Sequence, residues 1–402
     1  MRLLGIMLLV LLAACAGASD EPAGESPVVI LADDGNILVY DPADGESRAL
    51  TDDAGPDRIY SQPTWSPDGS QVAFVASAAL PEPGVQASAP AVRVGLEAQA
   101  VTGAIHITDA DGTDTVVVPT PFVAFYLYWS PDGATLAFLG NDIAAGRQGL
   151  AMIDVAAGTA RRVDNGQPYY FAWSPESDRL LVHARNEALY YLDPDGSQTS
   201  IDQEPGVFSA PHWQGSTQLY PTRGDDGQTL GVYEEDGTLR RPSVTPELGV
   251  AFGLSPAEDR LAYLQLSVDA SPFRLGTLVV DEAGETMEIA SGVAAFFWSP
   301  SGERLLYLTP AGADADLPLQ WNLWDGATTT SFEQHLPTLT FVQQYLPFFG
   351  QYANSLTFFS PDETRFTFSG TIPERGEGIW VQPIDGAPAE LIAPGRFSTW
   401  AP

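Results

Sequence analysis

The chain contains no lysine. All 18 of its basic residues are arginine, and they stand against 52 acids for a net charge of −34. A field this negative repels DNA, RNA, anionic lipid headgroups and polyanionic glycans, so no nucleic-acid partner is expected. There is one cysteine, Cys15, so no disulfide can form within a chain and stability must come from packing alone. The four histidines, His106, His183, His212 and His335, are far apart and form no close-spaced metal motif. No GxSxG elbow, P-loop or dinucleotide fingerprint occurs, which removes the common hydrolase, nucleotidase and dehydrogenase signatures. Helical periodicity is nearly absent beyond the first residues. Disorder is excluded as a global reading, because 44% of the chain is hydrophobic and 10% aromatic.

What is present is one phrase, repeated. It reads Trp65-Ser66-Pro67-Asp68-Gly69, Trp129-Ser130-Pro131-Asp132-Gly133, Trp173-Ser174-Pro175-Glu176 and Trp298-Ser299-Pro300-Ser301-Gly302. Weaker copies are Leu254-Ser255-Pro256 and Phe359-Ser360-Pro361-Asp362, while Trp213 and Trp400 keep the aromatic without the turn. Ser, Pro and Asp before Gly suit a tight turn, with Pro fixing one φ and Gly accepting a positive one. A short apolar run follows, such as Val72 to Val75 or Leu136 to Leu139, as expected of a strand covered on both faces. A third strand runs into an acidic Gly turn, as in Ile105 to Asp109 with Asp111-Gly112, and a fourth, more polar strand closes the unit.

Successive aromatic landmarks lie 64, 44, 40, 41, 44, 61 and 41 residues apart, mostly the length of one four-stranded propeller blade. The phrase with its apolar strand and DxDG turn resembles the WD40-like repeats of TolB and of the propeller domain of dipeptidyl-peptidase-IV-type proteins, over nearly all of residues 28–402. The resemblance implies an all-β fold, a β-propeller of four-stranded blades. It implies little about function, because these repeats serve many roles. Residues 28–51 hold only the later strands of a unit, and residues 396–402 hold only a first strand. The two fragments complete one another. Eight blades are therefore expected, closed by the C-terminal strand pairing with the N-terminal strands; seven blades with a separate N-terminal hairpin is the alternative.

The N-terminus carries an address. Arg2 precedes an apolar stretch, Leu3 to Leu12, too short to span a bilayer, and Leu12-Ala13-Ala14-Cys15 resembles the lipobox of bacterial lipoproteins. That resemblance implies a signal peptide over residues 1–14 and acylation of Cys15. Residues 15–27 then form the lipidated cysteine and an acidic tether, and residues 28–402 a single propeller domain. The protein is expected outside the cytoplasm, a monomer held to a membrane of the bacterial cell envelope by the N-terminal lipid only.

Three insertions interrupt the repeat: Ala78 to Val101, Pro310 to Pro318 and Gln334 to Asn354. The first two follow second strands and the third lies between a fourth strand and the next first strand, positions that share one face of a propeller. Long loops on a rigid scaffold are where function concentrates. The third insertion carries Tyr345, Phe348, Phe349 and Tyr352, and reads either as a lid packed on the propeller or as part of a ligand-facing surface. Aromatics entering the first strands add Tyr126, Tyr128, Tyr169, Tyr170 and Phe171, with His212 beside Trp213. Strand alternation points about half of these at the central channel and buries the rest between blades. These ten residues are the candidate ligand-binding face, with blade packing the competing role for each.

No cofactor and no metal site is expected. Asp109 to Asp114 lacks the ligand spacing of a calcium loop and recurs as a hairpin turn, which leaves weak Ca²⁺ binding to the acidic loops. No catalytic residue is assigned. The expected function is binding, without chemistry, of a protein, peptide or cell-envelope ligand on a propeller face. The alternative is a carbohydrate-active lyase or hydrolase with its site in the channel. One prediction belongs to the sequence alone. Replacing Cys15→Ser should move the protein from the membrane to the soluble fraction; unchanged membrane retention on fractionation would refute the anchor.

Overall fold

The computed structural model describes residues 26–77, 103–142, 146–185, 187–225, 227–234, 236–244, 250–266, 275–312 and 318–402. Cys15, the tether up to residue 25, the insertion Ala78 to Val101 and residues 313–317 of the second insertion lie outside these residues. Antiparallel meanders repeat along the chain. Ile59–Trp65, Gln71–Ser77, Ala104–Asp109 and Thr115–Pro119 form one four-stranded sheet, in that order from inside to outside. The next is Val123–Trp129, Thr135–Asp142, Arg147–Asp154 and Thr159–Gly166. Sheets beginning at Tyr169–Trp173, His212–Gln214 and Val250–Leu254 repeat the pattern. A seven-stranded sheet follows, in which Thr329–Pro337 is bridged to Arg365–Ile372 through Leu336–Thr371 and Pro337–Gly370. The last sheet pairs Phe397–Trp400 with Val28–Leu31, Val28 facing Trp400 and Leu31 facing Phe397, and continues through Ile37–Asp41 to Glu46–Ala49. The protein is an all-β propeller.

The repeated turn has a common chemistry. Its serine is at most 3% exposed in all six copies, and a hydroxyl that deeply buried needs partners. Each hydroxyl accepts the backbone N–H five residues on, as Ser66 does from Gln71 and Ser130 from Thr135, both at 2.9 Å. Each of Ser66, Ser130 and Ser360 donates to the Asp two residues on, while Ser174 and Ser255 donate to the Asp four residues on. The seryl hydroxyls hold the Asp68 and Asp132 carboxyls below the usual range. The fourth turn position has positive φ in every copy, and three copies place a side chain there: Ser177, Glu258 and Glu363 at φ 63°, 60° and 55°. That backbone is strained for any residue but glycine. Each of the three uses its side chain to reach the preceding sheet. Ser177 Oγ accepts from Asp132 N at 3.0 Å, Glu258 accepts from Thr217 Oγ1 at 2.6 Å, and Glu363 accepts from Arg304 at 2.8 Å and from Ser301.

Two further contacts recur between neighbours. The indoles of Trp65, Trp173 and Trp298 donate to the carbonyls of Thr399, Tyr128 and Gly253, each the residue just before the preceding sheet's landmark. Arginines five residues after the turn serine lie over the next sheet's tryptophan: Arg179 over Trp213, Arg260 over Trp298 and Arg365 over Trp400, at 5.4, 5.5 and 5.6 Å from the ring centroid. Arg304, at the same turn position, instead reaches Glu363 of the following turn. A planar guanidinium can stack on a ring while still bonding in its own plane, which an ammonium cannot do. The lysine-free composition fits this use.

The third insertion differs from the sequence reading. The fourth strand before the third insertion runs on to Pro337, so the inserted segment begins at Thr338. It is helical: Phe341–Tyr345 is a π-helical turn, Leu346–Phe348 a 3₁₀ turn and Phe349–Tyr352 an α-turn. Its apolar residues follow a short run broken by Pro347, too brief to show a helical period. The turn chemistry makes a prediction. Ser130→Ala removes the acceptor of the half-buried Thr135 N–H and one of the donors to the Asp132 carboxylate, and should lower stability by about 1–3 kcal/mol in denaturant titration. A midpoint within error of the parent would show that the hydroxyl is dispensable.

A plugged channel and the cup beneath it

The inner strands surround a channel, and the segment from Thr338 to Leu356 fills one end of it. Phe341, Tyr345, Leu346, Gln351 and Tyr352 are buried there. The contacts go round the ring. Tyr352 OH donates to Gln62 Oε1 at 2.8 Å on the Trp65 sheet. Gln351 is held by the Trp173 sheet as a strand would be, accepting from Phe171 N at 3.0 Å and donating to Phe171 O at 2.7 Å. Its amide also donates to Tyr126 OH at 2.9 Å, and Tyr126 reaches Ser355 Oγ at 3.1 Å. Asn354 Nδ2 donates to Pro211 O at 3.3 Å. Phe349 meets Phe296 and Phe297 edge-on, and Tyr345 stacks flat on Phe397 at 3.7 Å. A segment satisfied on so many strands is a plug.

The candidate residues divide accordingly. Tyr126, Phe171, Tyr345 and Tyr352 are buried in the contact between plug and inner strands. Tyr169 is buried with Tyr190 around the Asp164 carboxylate, donating to it at 2.9 Å, and burial pushes its phenol well above the ordinary value. Tyr170 stacks on Phe208 at 4.7 Å and is half-buried. Phe349 is half-buried against the Trp298 sheet, and Phe348 is 47% exposed, with Leu339 on the same segment at 73%. Of the ten, Tyr128 and His212 line the cavity described next.

That cavity, about 250 Å³, lies on the other side of the plug, toward the repeated turns. Its floor is Ala353, Asn354 and Leu356, where the plug ends. Phe297, Trp298, Phe358 and Phe359 line it together with Trp213 and Gly253, and the Trp298 indole donates to the Gly253 carbonyl at 3.0 Å. Pro256, Ser299 and Pro300 of the turns mark its rim. It is a cup with a closed bottom. Among the described residues no acid and no arginine lines it, although the chain carries 52 acids. His212 is its one imidazole, 8% exposed, with Nε2 lacking a hydrogen-bond partner. Burial pulls the His212 pKa down to about 4, while the Gly350 carbonyl and the Asn354 side chain pull the other way. It is neutral at neutral pH.

The other histidines serve packing. His183 is fully buried with Nδ1 3.2 Å from Ser209 O, and burial lowers its pKa to about 4. His335 lies under Phe368, lowered to about 3 by burial. His106, on a third strand as expected, packs on Phe74 and Tyr60. Among the described residues no three His, Cys, Asp or Glu side chains come together to hold a metal ion. The sequence reading passed over the cup's aromatic lining. Its signal was visible, in the doublets Phe296-Phe297 and Phe358-Phe359 just before the serine turns.

No family model matches the chain, and no curated protein matches it. Solved structures do. A prolyl endopeptidase aligns at 12% identity and TM-score 0.55, over 86% of this chain and 50% of that one. An oligogalacturonate lyase in complex with manganese aligns at 16% identity and TM-score 0.51, over 87% of this chain and 93% of that one. TolB from Acinetobacter baumannii aligns at 14% identity and TM-score 0.41, over 74% and 75%. Likeness at these identities concerns the fold.

The buried imidazoles set a pH dependence. A histidine titrates near 6.5 in an unfolded chain. His183, His212 and His335 titrate at about 4, 4 and 3 when folded. Below pH 6.5 the unfolded state therefore binds protons that the folded state refuses, and stability falls as pH drops toward 4. The melting temperature should be lower at pH 5 than at pH 7.5, and His335→Gln should lessen that difference. A melting temperature independent of pH over this interval would contradict the burial of these rings.

Proposed function

We propose that the protein is an extracytoplasmic lipoprotein, anchored by lipid on Cys15, whose eight-bladed propeller binds a ligand of the cell envelope without chemistry on it. The count of eight takes the seven-stranded sheet as two blades, the second having Phe359 bridged to Phe366 as its inner edge. The observation that carries the binding reading is the plugged channel. A channel closed by the segment from Thr338 to Leu356 leaves a blind cup rather than a path for substrate and product. The cup has no carboxylate pair for general acid–base work. Its imidazole, at about 4, is a weak base, well removed from the pKa near neutrality that suits that task.

The alternative, a carbohydrate-active enzyme with its site in the channel, rests on His212 standing in the cup. The two readings separate by experiment. A photo-crosslinking amino acid at Gln214, exposed at the rim, should capture a discrete envelope component. The same group at Glu46, on an outermost strand, should not. Equal capture at both positions, or at neither, would end the scaffold reading. Appearance of new reducing ends or unsaturated products from envelope glycan, lost in His212→Ala, would replace it with the enzyme.

A further inference from the structure

The path of the chain into the ring bears on which face meets the membrane. This rests on the reading of Cys15 as the lipid anchor, and concerns how that anchor holds the propeller. In each sheet the first strand runs to the serine turn, the second runs back and the third returns. The turns after first and third strands therefore share one face. Hydrogen bonds join them: Ala110 N donates to Ser70 O at 2.9 Å, Val155 N to Ala134 O at 3.1 Å and Ile384 N to Thr364 O at 3.0 Å. Connections after second and fourth strands, the plug among them, lie on the opposite face.

The N-terminal chain enters on the turn face. Val28 pairs with Trp400, whose counterparts stand just before the serine turns. Pro27 O accepts from Ala401 N at 2.8 Å. A methyl group on Gly69, in the first serine turn, would meet Ala401 Cβ at 3.6 Å and Pro402 O at 3.8 Å. Pro27 thus lies beside the turns, a blade's height from the plug face.

Reach makes that position matter. Cys15 and Ser26 are eleven residues apart. Fully stretched, such a length spans at most about 36–40 Å. As a flexible coil it averages about 17–20 Å end to end. To lay the plug face on the bilayer, the tether would first cross two strands outward, about 10 Å. It would then climb the side of the ring, about 23 Å for a strand of seven residues such as Gln71–Ser77. That route takes most of the stretched length and costs the chain its conformational freedom. With the turn face toward the membrane there is no detour.

Charge sets the spacing. Both families of turns expose carboxylates: Asp68, Asp132 and Asp362 after first strands, Asp44, Asp111 and Asp195 after third strands. Thr113 holds Asp111 below the usual carboxylate range and the Ser197 N–H does the same for Asp195, so this face stays charged into acid. Anionic lipid repels it over a Debye length of about 8–10 Å, less than the tether's coil dimension. The ring has room to stand off without turning over.

We infer that the anchor holds the propeller with its serine-turn face toward the bilayer, at a distance set by charge repulsion, and with the plug face looking away. The rim of the cup is on the turn face, so what the cup holds is met between ring and membrane. Leu339 and Phe348, exposed on the plug, face the space beyond.

The test uses the lipidated protein, purified from membranes and reconstituted into vesicles of phosphatidylcholine, with or without phosphatidylglycerol. A fluorescent genetically encoded residue replaces Asp385, exposed on the turn face, or Glu374, exposed at the other end of the same sheet. Energy transfer to acceptors on the lipid headgroups should be greater from position 385. Raising salt from about 0.01 to 1 M shortens the Debye length from about 30 to about 3 Å, and on anionic vesicles should raise transfer from both positions. On neutral vesicles salt should change neither. Adding about thirty Gly and Ser residues to the tether roughly doubles its coil dimension, and should bring the two positions to parity on neutral vesicles.

Equal transfer with the natural tether, or greater transfer from position 374, overturns the orientation; the latter would put Leu339 and Phe348 at the bilayer. A difference that survives the long tether would show that the turn face itself binds lipid, and overturns the tether as the cause. Transfer indifferent to salt on anionic vesicles overturns the charge spacing. Absence of acyl groups on Cys15, by mass spectrometry of the membrane-purified chain, would remove the anchor and this inference with it, whereas the transfer results bear on orientation alone.

Discussion

One buried hydroxyl, repeated, supports the ring. At each serine turn the chain reverses at the surface between an inner strand and its neighbour, with the serine itself buried. The seryl oxygen resolves this by accepting from the strand that follows and donating to a carboxylate on the surface. With the turn so fixed, the landmark aromatic before it is aimed at the adjacent sheet, and the arginine after it reaches the next tryptophan. Where the turn lacks its glycine, the strained residue reaches back to the preceding sheet. Local turn and inter-sheet contact are one device.

The charge pattern follows from the same geometry. Sheets buried on both faces leave their edges and turns to solvent, and those edges carry the acids that produce the net charge of −34. At the turns, Arg179, Arg260 and Arg365 stack on tryptophan and Arg304 bonds a carboxylate of the next turn. Among the described residues the cavity has no charged residue in its lining.

The plug trades one possible function for another. An open channel would offer two faces and a passage. Docking Tyr352 on Gln62, Gln351 on Phe171 and Tyr345 on Phe397 ties the inner strands together and closes that passage. The aromatic residues of this segment are therefore spent mainly on the ring itself. Phe348 and Leu339 are the large apolar side chains it leaves in solvent.

The sequence by itself determined the propeller, because everything that specifies it is local. Turn residues, apolar strands and the recurring aromatic interval act within some forty residues, and each copy repeats the message. It placed His106 on a third strand and His212 on an inner one, since strand order follows from the turn. Only the tertiary structure decided the site. Tyr126, Phe171 and Gln351 are separated by up to 225 residues and become one hydrogen-bonded cluster, and the same aromatic letters serve plug, wall or rim according to which way a strand bulges. Whether an inserted run of aromatics turns outward to a ligand or inward to the channel depends on vacancies offered by six or more strands at once. No window of sequence contains that information, because the cavity exists only after the ring has closed around it.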